Sequence, residues 1–188
     1  MYASPAWPDR RAPSRRRLLK VLAAAAAAAA VSPKRLFAGP REPREVAFVH
    51  THTHERLSVR YFADGSYDAD SLAALNRLLR DHRTGEQHPI DPALFDILHD
   101  LRVATGTASP FQVISGYRSA STNGMLRERS AGVASGSLHL QGRAVDVRLA
   151  DVSSAALRDA AISLRRGGVG YYAASDFVHI DTGRFRTW

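Results

Sequence analysis

The chain has 188 residues, no cysteine and a formal net charge of +8. Without cysteine, disulfides and thiolate chemistry are excluded, and a bound metal must use His, Asp, Glu or Tyr. The charge is uneven: residues 1–38 carry Arg10, Arg11, Arg15, Arg16, Arg17, Lys20, Lys34 and Arg35 against Asp9 alone, whereas 39–188 hold 18 Arg and 17 acids. A nearly neutral body lacks the net basic face that phosphate-driven binding needs, so nucleic acid is not an expected partner.

Residues 1–38 read as an export signal. Ser14-Arg15-Arg16-Arg17-Leu18-Leu19-Lys20 is followed by an apolar run from Val21 to Val31 and a small-residue stretch ending near Leu36-Phe37-Ala38. That order of parts is an address rather than a folded element. The apolar run is too short to cross a bilayer, which takes about 20 residues. The paired arginines with Leu-Leu-Lys resemble the twin-arginine export motif, with Leu where Phe is common. The expectation is export by the twin-arginine machinery into the periplasm, with no stable membrane span once the signal is cleaved.

Residues 39–45, Gly-Pro-Arg-Glu-Pro-Arg-Glu, read as a polar linker. Val46 to Val49 and Leu57 to Phe62 are expected strands, with a turn at Asp64-Gly65. Asp70 is the expected cap of a helix whose Leu72, Leu75, Leu78 and Leu79 share a face. Asp91-Pro92 opens a second helix with Leu94, Ile97, Leu98 and Leu101 inward. Phe111 to Ile114 is a short strand, and 119–130 is a helix or a loop. Arg143 to Leu149 is a strand. Ser154 to Arg166 is an amphipathic helix stopped by Gly167-Gly168. Val169 to Tyr172 and Phe177 to Ile180 form a hairpin around Ala173 to Asp176. The pattern predicts an α+β domain over 46–188, a small antiparallel sheet with helices packed on one side.

Two of these strands carry chemistry. In Arg143-Ala144-Val145-Asp146-Val147-Arg148-Leu149, alternation puts Val145, Val147 and Leu149 on one face and Asp146 on the other. In Phe177-Val178-His179-Ile180-Asp181, Val178 and Ile180 oppose His179 and Asp181. Laid side by side with apolar faces inward, the strands project Asp146 and His179 together. His139 stands in the loop seven residues before Asp146, and Gly142 lets that loop fold back. Two imidazoles and one carboxylate leave a tetrahedral position open, the layout of a catalytic zinc site. A solvated histidine and a strand-end aspartate are the plain alternative, although β-propensity disfavours Asp in a valine-rich strand.

Ser115-Gly116-Tyr117-Arg118-Ser119, Ser137-Leu138-His139-Leu140-Gln141-Gly142-Arg143-Ala144-Val145-Asp146, Gly168-Val169-Gly170-Tyr171-Tyr172 and Phe177-Val178-His179-Ile180-Asp181-Thr182-Gly183-Arg184 together resemble the murein endopeptidase K (YcbK-like) group. That group lies among the D-Ala-D-Ala metallopeptidase relatives, which include lysostaphin-type enzymes and the hedgehog signalling domain. The similarity runs from about Phe48 to Trp188. It implies a zinc peptidase that hydrolyses peptide cross-links of peptidoglycan, with His139, Asp146 and His179 on the metal. Arg118 matches the arginine that steadies the substrate carbonyl or its developing charge. Many relatives carry an acid three residues before the last histidine, here Asp176, which would act as general base. Asp181 is the alternative base, or a carboxylate that orients His179. A second reading is a non-catalytic, zinc-containing cell-wall binding domain; Arg118 and a candidate base argue against it.

His50-Thr51-His52-Thr53-His54-Glu55 at strand period would place three histidines on one face, as a second metal site or simply a wet face. His82, His88 and His99 read as surface or helix-face residues. Ser115 and Ser119 lack the Gly-x-Ser-x-Gly elbow of a serine hydrolase. Tyr117, Tyr171 and Tyr172 either wall a cleft or fill the core.

Overall fold

The computed structural model describes residues 42–129 and 134–188, all within one unit, Pro40–Trp188. The expected export signal, residues 1–38, and the start of the expected linker, 39–41, lie outside the described residues.

The strands are β1 (Arg44–His50), β2 (Arg56–Ala63), β3 (Ser66–Tyr67), β4 (Phe111–Ser115), β5 (Ala144–Arg148), β6 (Gly168–Tyr172), β7 (Phe177–Asp181) and β8 (Arg186–Thr187). The helices are α1 (Ala69–Leu78), α2 (Pro92–Thr105), α3 (Ala120–Arg129) and α4 (Ser154–Leu164). The strands form one eight-stranded sheet in the order β3-β2-β1-β4-β5-β7-β6-β8. It is mixed rather than small and antiparallel, because β1 pairs with β4, and β6 with β8, in parallel. Between β1 and β4 the chain passes through β2, β3, α1 and α2, a connection long enough to bring β4 back in the direction of β1. The link from β7 to β8 passes the end of β6, so β8 lands beyond it.

Alternation sorts the two faces. Val46 and Phe48 of β1, Phe111 and Val113 of β4, Val145 and Val147 of β5, and Val178 and Ile180 of β7 form one core with Leu75, Leu94, Leu98 and Leu157 from the helices. Phe48 meets Phe95 edge-on at 6.5 Å between ring centroids. Each large side chain withdrawn here contributes roughly 1.5–3 kcal/mol. Because α1, α2 and α4 supply the helical side of this core, the opposite face of β5 and β7 is left for polar side chains.

The helix starts follow capping chemistry. Asp68, not Asp70, caps α1: its extended backbone (φ −83°, ψ 117°) lets its carboxylate accept from Ser71 N at 2.8 Å. Asp70 instead sits in the first turn, where a negative charge suits the helix dipole. Asp91 caps α2 with Pro92 beginning the helix, and Gly106 ends it at φ 68°. Helix α4 ends at Leu164 with Arg165 in the left-handed region, before the expected Gly167-Gly168 stop. Gly168 instead begins β6. Residues 120–129 resolve as helix rather than loop, and Arg44 and Glu45 of the expected linker belong to β1. No helix among the described residues is long and apolar enough to cross a membrane.

Candidate metal centre

Strands β5 and β7 are neighbours, and Asp146 stands directly opposite His179. Val145 faces Ile180 and Val147 faces Val178 in the same ladder, so these two apolar pairs go to the core and the Asp–His pair to the other side. His139 lies on a single 3-10 turn, Leu138–Gln141, closed by Gly142 at φ 63°. A Cβ on Gly142 would collide with the Pro89 carbonyl, so glycine is required there for space as well as for its dihedral. The Gly142 carbonyl also accepts from Asp91 N at 2.9 Å, tying the turn to the start of α2.

Three donor atoms converge. His139 Nε2 is 3.2 Å from Asp146 Oδ1 and 3.1 Å from His179 Nδ1, and His179 Nδ1 is 2.9 Å from the same carboxylate oxygen. All three residues are buried, and among the described residues they form the one His/Asp/Glu group able to hold a metal. The far side of each ring fixes its tautomer. His139 Nδ1 donates to the Gly116 carbonyl at 2.7 Å. His179 Nε2 donates to Asp181 Oδ2 at 3.1 Å. His139 Nε2 and His179 Nδ1 are therefore the nitrogens that face inward, against a carboxylate. Two imidazoles around one carboxylate hold a proton when no metal is bound, and a divalent cation can take that proton's place. Imidazole with carboxylate, and no thiolate, suits zinc.

The titration of the cluster reflects the same geometry. Burial opposes the charged form of His179, but the hydrogen bonds it donates to Asp146 and Asp181 outweigh it and raise its pKa to about 9, so a metal must displace the proton it shares with Asp146. Burial dominates at His139 and lowers its pKa. For Asp146, burial alone would favour protonation, yet the two histidines hold it well below the usual carboxylate range. The group thus retains an anion at its centre.

Asp181 is fully buried and saturated with donors. Besides His179 it accepts from Gly168 N at 3.0 Å, Gly183 N at 2.8 Å, and Arg186 Nη2 at 2.6 Å and Nη1 at 3.1 Å. It stands behind the ring of His179. Asp176 makes no hydrogen bond to the cluster. It ends the 3-10 turn Ala173–Ser175 at φ 51°, is exposed, and faces Arg148 Nη1 at 3.6 Å.

Arg118 belongs to the loop between β4 and α3. Its Nη2 lies 3.3 Å from Asp146 Oδ2 and 3.4 Å from Ser115 Oγ, while its buried Nε has no protein partner. Burial lowers its pKa and Asp146 opposes that shift. The loop is held on three sides: Tyr117 N donates to Leu79 O at 2.7 Å, Arg118 N to His139 O at 3.1 Å, and Ser119 N to Asp81 Oδ2 at 2.9 Å. A cavity of about 530 Å³ opens over the cluster, bordered by Arg118, Leu126, Leu138, Tyr172, Phe177 and Trp188.

The structure therefore brings His139, Asp146, His179 and Arg118 together, with Asp181 behind them, and pairs Asp176 with Arg148 in the turn between two residues, Ser175 and Phe177, that border the cavity. The three-histidine face does not form, because β1 ends at His50 and the chain turns through Thr51–Thr53. His50 is buried, and His52 instead stacks on His82 at 4.2 Å. Ser119 Oγ is committed to Asp81 at 2.7 Å, so it is no nucleophile. Tyr117 and Tyr171 pack against the core, and of the three tyrosines only Tyr172 borders the cavity. Residue reasoning missed Gly116, Asp81, Arg186 and Trp188. Arg186 and Trp188 had a legible signal, since their spacing of two puts them on one face of a strand.

Residues 39–188 match the family described as Peptidoglycan L,D-endopeptidase MepK. The chain belongs to that family. The protein named Peptidoglycan L,D-endopeptidase MepK of Escherichia coli (strain K12) is 44% identical over 176 residues, covering 92% of this chain and 96% of that protein. The Shigella flexneri protein of the same name matches to the same extent. The Haemophilus influenzae protein named Probable peptidoglycan L,D-endopeptidase MepK is 43% identical over 148 residues, covering 78% of this chain and 80% of that protein. The resemblance read from the four sequence motifs is borne out.

Proposed function

We propose that this chain is a zinc-dependent endopeptidase that hydrolyses peptide cross-links of bacterial peptidoglycan. The observation that supports the reading best is the convergence of His139 Nε2 and His179 Nδ1 on Asp146, under a cavity that the Arg118 guanidinium also borders. Family membership supplies the substrate class.

His139, Asp146 and His179 would hold the zinc, which when bound supplies a Lewis acid that activates water and polarises the scissile carbonyl. Arg118 would steady the negative charge growing on that carbonyl oxygen, with its Nη groups as donors. Asp176 is the proposed base: it would accept a proton from the attacking water and return it to the leaving amine as the C–N bond breaks. Asp181, with no free access to solvent, would orient His179 and enhance its basicity. Residues 46–188 would be the working domain, and residues 1–38 a twin-arginine export signal that delivers it to the periplasm, where the substrate lies.

Digestion of purified cross-linked muropeptides, with and without chelator, tests the reading. Cleavage that a chelator abolishes and zinc restores is expected; intact cross-links under all conditions would leave a cell-wall binding domain in its place.

A further inference from the structure

The motif Gly168-Val169-Gly170-Tyr171-Tyr172 has no role in the chemistry above, yet both of its glycines are spatial requirements. A Cβ on Gly168 would run into Arg186 and Asp181, and a Cβ on Gly170 would come within 2.7 Å of the Trp188 indole. Gly170 stands opposite His179 in the ladder. The indole therefore lies over a bare stretch of β6, with its ring centroid 5.2 Å from that of His179.

Trp188 is held firmly for a residue with 51% exposure. Its N donates to Val169 O at 3.3 Å, and its carbonyl accepts from Tyr171 N at 3.0 Å. Its Nε1 donates to Tyr172 Oη at 3.1 Å, and the Arg186 guanidinium lies 4.8 Å from its ring. Tyr172 in turn stacks on Phe177 at 4.6 Å. A large apolar surface left in water costs free energy. One that is fixed at the rim of a cavity, rather than folded away, is pre-organised for contact.

We propose that Trp188, seated on Gly170, is a substrate-positioning residue, packing its exposed indole against the aliphatic stem or peptide plane beside the scissile amide. The inference rests on the peptidase reading for the identity of that ligand. An indole offers dispersion and an apolar face but no charge, so it suits the methyl and methylene part of a peptide stem, leaving carboxylates to the cationic groups. Contact made equally in ground and transition states appears in KM rather than kcat.

Two measurements test this. In the first, zinc-loaded Trp188→Ala and Gly170→Ala are assayed on a purified cross-linked muropeptide, the second variant displacing the indole without deleting it. Both are expected to raise KM about tenfold, with kcat within about threefold and zinc content unchanged, while Trp188→Phe recovers most of the loss. In the second, Trp7→Phe leaves Trp188 as the single tryptophan. Its emission is expected to shift and saturate on mixing with the muropeptide, before turnover. If the wild type cleaves while KM stays unchanged in Trp188→Ala and the emission stays silent, the contact is wrong and the peptidase stands. If nothing is cleaved but the emission still responds, the peptidase reading fails and the contact survives.

Discussion

His139 Nε2 and His179 Nδ1 lie 3.1 Å apart, and each is turned inward by a hydrogen bond made on the opposite side of its ring. Gly116 O fixes the first ring and Asp181 the second. Two imidazole nitrogens this close, with Asp146 beside them, form a site that a shared cation can fill in place of a proton. Zinc is therefore expected to stabilise the fold by mass action. At free zinc a hundredfold above Kd the gain is about 2.7 kcal/mol, roughly 5–10 °C in Tm for a domain of this size. His139→Ala and Asp146→Asn should lose both this shift and bound zinc, read by thermal unfolding and metal analysis. An undiminished shift in either variant would contradict the ligand set.

Arg118 is expected to act without holding metal. Its Nη2 touches Asp146 only at 3.3 Å, and its Nε faces no protein acceptor. Arg118→Lys should lower kcat by about 10²–10³ while zinc content stays at the wild-type value. Asp81→Ala should weaken the same step less, because it frees the Ser119 end of the loop without removing the guanidinium. Steady-state kinetics beside metal analysis separates the two effects, and a loss of zinc in Arg118→Lys would place that arginine in the structure of the site instead.

Asp176 and Asp181 are separable by environment. Asp181 is buried behind His179 and clamped by Arg186, so Asp181→Ala should weaken zinc binding about 10–100-fold. Asp176 is exposed, and Asp176→Asn should leave zinc binding intact while lowering kcat by about 10²-fold. Competition with a coloured chelator and the pH–rate profile report on these outcomes. Full activity in Asp176→Asn would make it a plain turn residue.

A pH effect is also expected at His50, which is not one of the residues of the metal group. His50 is buried beside His52, His82, Glu55 and Arg80, and burial first, then the charge of His52, lowers its pKa to about 4; Glu55 opposes the shift. The unfolded chain protonates this histidine near 6.5, so the stability its burial supports is present above that pH and falls as pH drops towards 4. His50→Asn keeps an acceptor for the amides of His52 and Thr53 and removes the titration. Urea unfolding at about pH 7 and about pH 4.5 should show the wild type losing about 1–3 kcal/mol more than the variant. Equal losses would assign the acid sensitivity to other groups.

Much of the site was legible because strand alternation is a strict code. Asp146 in a valine strand and His179 between Val178 and Ile180 could face only away from the core, and the Asp146–His179 register follows from pairing their apolar partners. The parallel pairings were not legible, since they depend on where the chain returns after α2 and after Gly183, a tertiary outcome with no local signature. The partners of Asp181 were half legible. The family motif runs to Arg184, whereas the side chain that grips the carboxylate is Arg186, placed by β8 adding to β6. The three-histidine strand does not form because the chain turns at Thr51–Thr53 and His54 takes φ 60°, a turn that the alternating Thr-His pattern does not announce.

The most direct measurement is digestion of a defined muropeptide by the zinc-loaded protein, beside His179→Ala and a chelator-treated sample, with products separated by chromatography. The expected result is cleavage of the peptide cross-link by the loaded wild type alone, restored to the chelated sample by zinc. Cleavage that persists in His179→Ala at the wild-type rate, or in the chelated sample without added metal, would contradict a metal centre built from His139, Asp146 and His179.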